Sequence, residues 1–269
     1  MHIIAVGGLA ALLYIVTGGL LGMRLSRASL EQTWGKTGFF ALGWGAVLLH
    51  AFILFPVLLH AEGINLGFFN ALSLTGWLVA VVLLLTAMVS PVENLGIVLL
   101  PFSGLTVLMG LSFASERIVA DSSQWPLEVH ILISILAYST LMLAAVQAIL
   151  LAIQDRRLRN RQPGGFVRGI PPLITMETLL FQMIGIGFVL LSLALLSGLL
   201  FLEDIFAQHL VHKTVLSIAA WAVFGILLWG RWRFGWRGST AISWTLSGFV
   251  TLALAYFGSK LVLELVLQR

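Results

Sequence analysis

Six histidines constrain the reading of this chain most, because only 10% of its residues are charged and it has no cysteine. His50 lies inside a long apolar run, roughly 14 residues from the start of that run at Thr37. At about 1.5 Å per residue it falls slightly past the middle of a spanning helix. A titratable side chain at that depth is costly and marks a candidate functional site. Neutral imidazole can ligate haem iron, with its second nitrogen oriented by a hydrogen bond. The alternative is a neutral histidine bonded to a neighbouring helix. His130 opens another apolar run, Val129-His130-Ile131, which continues to Tyr138; a histidine at a helix end is also a common interfacial residue. His209 and His212 are three apart and would share a helix face, a spacing that can bind metal, although two ligands do not complete a site. His2 and His60 stand at the ends of runs and read as interfacial residues.

The elements that must hold these residues are membrane spans. Of 269 residues, 59% are hydrophobic, whereas a soluble domain carries about 25% charged residues. Surface-to-volume scaling leaves no way to bury so much apolar surface in water. A spanning helix needs about 20 mostly apolar residues. Eight runs meet that length or come close to it: 3–23, 37–59, 66–89, 95–114, 129–153, 174–202, 213–230 and 241–265. Ser90-Pro91-Val92-Glu93-Asn94 reads as the turn between the third and fourth. The first run has neither a basic n-region nor an A-x-A site and reads as a retained helix. The expected fold is all-α, a polytopic membrane helical bundle forming a single transmembrane domain over residues 1–269. Without cysteine, disulfides, thiol redox chemistry, iron–sulfur ligation and covalent haem attachment through C-x-x-C-H are excluded.

Charge placement orients the bundle. Eleven basic residues fall on one set of alternate loops: Arg24, Arg27 and Lys36; Arg156, Arg157, Arg159, Arg161 and Arg168; Arg231, Arg233 and Arg237. The opposite set holds Arg117 and Arg269, with Lys213 and Lys260 near helix ends. The positive-inside rule places the eleven in the cytoplasm and both termini outside. His2, His60, His130, His209 and His212 then gather on the outer face, and His50 lies in the outer half of the membrane. The net charge of +4 reads as a topology signal and not as a nucleic-acid footprint. The basic loop around Pro163-Gly164-Gly165 could bind a partner, but it reads more simply as an anchor on anionic lipid.

Trp34, Trp232, Trp236 and Trp125 fit interfacial belts. Trp44, Trp77, Trp221 and Trp229 fall within or near spans, where they could line a flat cofactor or simply pack. The pairs Gly18/Gly22, Gly43/Gly45 and Gly185/Gly187 are expected to allow close helix approach. Glu177 is expected to cap the start of the sixth helix. There is no P-loop, no G-x-S-x-G, no H-E-x-x-H and no paired carboxylates inside the spans, which leaves a hydrolase or ATPase unsupported.

Several stretches together resemble the cytochrome c assembly family, haem-handling membrane proteins of the CcsA and CcmC type, and within it the YpjD- or HemX-like branch. They are Leu49-His50-Ala51, Gly63-Ile64-Asn65, Leu72 to Gly76-Trp77, Pro101, and Val129-His130 to Tyr138. Beyond the basic loop come Met176-Glu177, Gly187-Phe188, Gly198, Trp221, Gly235-Trp236-Arg237-Gly238, Gly248-Phe249 and Tyr256-Phe257-Gly258. The likeness runs over about residues 45–262. It implies a helical bundle in the bacterial plasma (inner) membrane that binds haem b without a covalent link. It also implies that His50 corresponds to an intramembrane iron ligand and His130 to an outer one.

The departures are specific. The tryptophan-rich W-x-W-D type motif of the synthases is replaced by Glu203-Asp204-Ile205-Phe206-Ala207-Gln208-His209-Leu210-Val211-His212-Lys213. Trp229 stands where a second intramembrane histidine is expected, and no histidine follows the eighth run. His209 or His212 would have to supply a substitute ligand, or haem would be five-coordinate or absent. The resemblance therefore implies a haem-binding accessory protein of cytochrome c assembly and not a complete synthase. The competing expectation is a cofactor-free membrane scaffold or regulator of the same descent. A solute transporter would need intramembrane acidic groups or broken helices near the midplane, and the spans offer few. Expected partners are the lipid bilayer and other membrane proteins, with no nucleic acid.

Overall fold

In hydrocarbon, backbone N–H and C=O groups find no water, so a spanning segment is stable only when its own helix satisfies them. The computed structural model obeys that constraint; it describes residues 2–26, 36–60, 63–113, 118–119, 125–161, 169–201 and 211–258. In chain order the elements are α1 (His2–Ser26), α2 (Lys36–Leu58), β1 (Leu59–His60), β2 (Gly63–Asn65), α3 (Phe68–Val89) and α4 (Gly96–Ser112). They continue with β3 (Ile118–Val119), α5 (Trp125–Arg159), α6 (Leu173–Phe201), α7 (Val211–Phe234) and α8 (Ser239–Ala253). A 3-10 turn, Glu93–Leu95, leads into α4, and a π-turn, Leu254–Gly258, closes α8. Among the described residues, eight helices are long and apolar enough to cross a membrane, and the fold is a polytopic helical membrane bundle, as the sequence predicts. The strands add a small antiparallel ribbon in the order β1-β2-β3, with Leu59 opposite Ile64 and Ile64 opposite Val119. Strands this short are too brief to show a period of two in the sequence.

Polar side chains in the spans mostly turn their protons onto their own helix. The hydroxyls of Thr17, Thr75, Thr86, Thr140, Ser192 and Thr245 each donate to the carbonyl four residues earlier, at 2.6–2.9 Å. This local bond lets a hydroxyl enter an apolar span without an orphaned donor.

The chain sorts into two compact units. Unit 1 comprises Met1–Val119 and Ile153–Thr175. Here α1 packs on α2 and α4, and α3 packs on α2 and α4. Close approach depends on glycine. A Cβ at Gly18 would meet Pro101 Cδ at 2.6 Å, one at Gly43 would meet Leu84 Cδ2 at 2.8 Å, and one at Gly76 would overlap the Thr106 hydroxyl. At one end of α2 lies the ribbon. At the other, Lys36 pairs with Glu93 at 2.7 Å, and Asn94 Nδ2 donates to Gly169 O at 3.3 Å.

Unit 2 comprises Ala120–Ala152 and Met176–Arg269. Leu141 of α5 fills the space left by Gly187 of α6, and Gln147 Nε2 donates to Met176 O at 3.0 Å. Trp221 of α7 stacks on Phe188 of α6 and donates its indole N–H to Ser192 Oγ at 2.8 Å. Phe224 lies against Gly248 of α8. Tyr138 of α5 packs among Phe249, Tyr256 and Phe257. The turn between α7 and α8 bends at Gly235 (φ 68°) and Gly238 (φ 58°), left-handed values that favour glycine.

Two expectations change. Glu177 does not cap α6, because it lies in the second turn of that helix, past the unpaired N–H groups. Its carboxylate instead accepts the backbone N–H of Gly238 at 2.8 Å and caps the start of α8. Of the expected glycine pairs, Gly18, Gly43 and Gly187 stand at close approaches, whereas Gly45 and Gly185 face open space and Gly22 is only in ordinary contact, at 3.8 Å.

Candidate functional site

His50 is fully buried in unit 1. Its Nε2 lies 3.0 Å from Ser73 Oγ of α3, and its Nδ1 lies 3.4 Å from the Tyr14 hydroxyl of α1. The Tyr14 and His50 rings meet edge to face, with centroids 5.8 Å apart. One imidazole thus joins three helices through two hydroxyls. A phenol donates more readily than an aliphatic hydroxyl, so the arrangement is best satisfied when Tyr14 donates to Nδ1 and Nε2–H donates to Ser73. Neither Tyr14 nor Ser73 stands out in the sequence as a partner of His50. They stand 36 and 23 residues from His50, and no spacing rule links separate spans.

His130 belongs to unit 2. It lies on the second turn of α5, partly buried, with Nδ1 2.9 Å from Ser197 Oγ of α6. Ser197 is buried, and its hydroxyl also lies 2.9 Å from Ala194 O. No hydrogen bond to His130 Nε2 is present among the described residues. His130 is therefore tethered at one nitrogen, whereas His50 is held at both.

Trp229 is 55% exposed and packs edge-on against Phe234. The indole of Trp77, in contrast, is tied down, donating to Val47 O at 3.1 Å. His209 lies outside the described residues. Of His212 only the backbone, in the first turn of α7, is described, and of His60 only the backbone in β1. No group of three or more metal-binding side chains occurs among the described residues.

Haem b, which the resemblance implies, needs an imidazole nitrogen with a free lone pair and room for a broad planar ring. The two histidines fit this requirement differently. Iron at His50 would have to displace Ser73 or Tyr14 from a fully packed position. His130 has the donor chemistry of a ligand, one nitrogen anchored on a hydroxyl and the other without a protein partner among the described residues.

A family model described as cytochrome c assembly protein matches residues 39–267. The chain belongs to that family. The matched span encloses the 45–262 expected from the motifs. The inner membrane protein YpjD of Escherichia coli K12 is 36% identical over 209 residues, covering 76% of this chain and 78% of that protein. The cytochrome c biogenesis protein CcsA of Microcystis aeruginosa is 24% identical over 264 aligned positions, covering 76% and 80% of the two chains. CcsA of Chlamydomonas reinhardtii is 26% identical over 155 residues, covering 56% of this chain and 42% of that one. No solved structure matches the chain significantly. The likeness to YpjD supports the YpjD-like branch, and the family span includes His50, His130 and the Gly235–Gly238 turn.

Proposed function

We propose that this protein is a multi-pass bacterial inner-membrane accessory of cytochrome c biogenesis that binds haem b non-covalently on the outer side through His130. Family membership supports the biogenesis role, and the eight apolar helices and the likeness to an inner membrane protein support the location. The observation that carries the haem reading is the tether of His130 Nδ1 to Ser197, at 2.9 Å. A ligating histidine is usually held in this way, its far nitrogen bonded to a fixed acceptor while the near one meets the metal. Bound haem would supply iron to be held and presented; the chain's own part is to fix the ring and exclude competing protein donors from Nε2. In this reading the expected pair of ligands narrows to His130, and His50 serves as the polar joint between α1, α2 and α3. His209, His212 and Trp229 stay as candidates for the opposite face of the cofactor. Without the tryptophan motif of the synthases, the accessory role is preferred to catalysis.

The test is an absorption spectrum of the protein purified in mild detergent, before and after haem feeding. A Soret band that is strongly reduced in His130→Ala and retained in His50→Gln is expected. No band in the native protein, even with haem supplied, would sink the haem reading. The second reading, a cofactor-free scaffold or regulator of the same family, is favoured by the engagement of both His50 nitrogens within the protein. It predicts no Soret band and retention of biogenesis function in His130→Ala.

A further inference from the structure

The hydrogen bonds around His130 can be balanced proton by proton. Ser197 Oγ lies 2.9 Å from two groups, Ala194 O and His130 Nδ1. A carbonyl can only accept, so the contact with Ala194 requires the single hydroxyl proton of Ser197. The contact with Nδ1 is then a hydrogen bond only if Nδ1 carries the proton and the serine oxygen accepts it. This arrangement makes two hydrogen bonds. In the opposite one the hydroxyl turns to Nδ1, the Ala194 contact is lost, and the ring N–H moves to Nε2, where no acceptor is present among the described residues. Two bonds against one, with an unpaired N–H in the weaker case, decide between the tautomers. Ser197 is buried, and it and Ala194 lie on one rigid helix, so the acceptor does not wander.

We propose that Ser197 is a positioning residue that locks His130 in its Nδ1–H tautomer, so that the Nε2 lone pair is set in place as the ligand atom. The tautomer follows from the geometry of α5 and α6 alone; its use for haem iron rests on the function proposed above. A neutral imidazole that ligates through Nε2 must be protonated at Nδ1. Ser197 thus settles beforehand a choice that free imidazole leaves open.

Long-range proton–nitrogen correlation spectra of the detergent-solubilised full chain, labelled with ¹⁵N-histidine and held at alkaline pH, read the tautomer directly. The His130 signals are assigned by their loss in His130→Gln. The expected result is a protonated Nδ1 and an unprotonated Nε2 in the native protein, a partial gain of the Nε2–H tautomer in Ser197→Ala, where the Ala194 carbonyl is the acceptor left beside Nδ1, and recovery of the native pattern in Ser197→Thr. Haemin titration should show affinity roughly 10-fold weaker in Ser197→Ala, the lower end for loss of an outer-shell partner, and near native in Ser197→Thr. A native protein protonated at Nε2 overturns the proposal, as does an unchanged tautomer in a folded Ser197→Ala. The native spectrum alone decides the tautomer, whether or not the alanine variant folds. If it shows Nδ1–H but the protein takes up no haemin, the tautomer assignment stands and the haem function falls.

Discussion

The Tyr14–His50–Ser73 contact shows how one side chain can be costly by itself and stabilising in place. An imidazole in the middle of a span would strand two polar nitrogens in hydrocarbon, and here both meet hydroxyls from other helices. Interhelical hydrogen bonds in membranes average only about 0.6 kcal/mol, because the separated helices find other partners. Ser73→Ala is therefore expected to lower stability by about that amount. His50→Ala should cost about 2–4 kcal/mol, because it opens a void and orphans two hydroxyls at once. Thermal unfolding in detergent, followed by tryptophan fluorescence, separates the two; equal effects would show that His50 does not act as a joint. The depth of His50 and the need for a partner were legible in the sequence. The identity of the partners was not, since Tyr14 and Ser73 come from other spans.

Elements were legible where hydrophobic length alone decides them, and less so where something else sets their ends. Helix α5 runs 35 residues, well beyond the expected 129–153. Its extension at the basic end carries the Asp155–Arg159 pair at 3.0 Å, one helical turn apart, and no proline or glycine breaks it before Arg159. Hydropathy stops where the charges begin, but the helix does not. Glycines tell a similar story in α6. Gly185 and Gly187 look alike in the sequence, yet a Cβ at Gly185 meets nothing within 4 Å while one at Gly187 would lie 2.5 Å from Leu141. Gly185→Ala should be neutral or stabilising by about 0.5–1 kcal/mol through reduced backbone freedom. Gly187→Ala should be destabilising by about 1–3 kcal/mol through overpacking. Melting temperatures of the two variants check this, and a loss in Gly185→Ala as large as that in Gly187→Ala would contradict it.

The whole molecule is arranged by the bilayer, and its proposed orientation rests on the eleven basic residues of alternate loops. The absence of native cysteine makes that orientation directly measurable. A single cysteine at Ser122→Cys is expected to react with a membrane-impermeant maleimide added to intact cells. One at Gln162→Cys should react only after the membrane is opened. The reverse pattern would invert the topology and move His130 to the cytoplasmic side, taking the outer-side haem reading with it.

By itself the sequence determined the membrane as solvent, eight spans, their alternation and the family, because hydrophobic length and loop charge are local quantities written along the chain. It also marked His50 and His130, since a histidine in an apolar run is conspicuous without any structure. Only the tertiary structure decided how each ring is used. Whether an imidazole nitrogen is engaged or open depends on hydroxyls brought from other helices, and at each histidine those hydroxyls come from 23 to 67 residues away. His50 thereby became a joint among three helices, and His130 a ring held at one nitrogen.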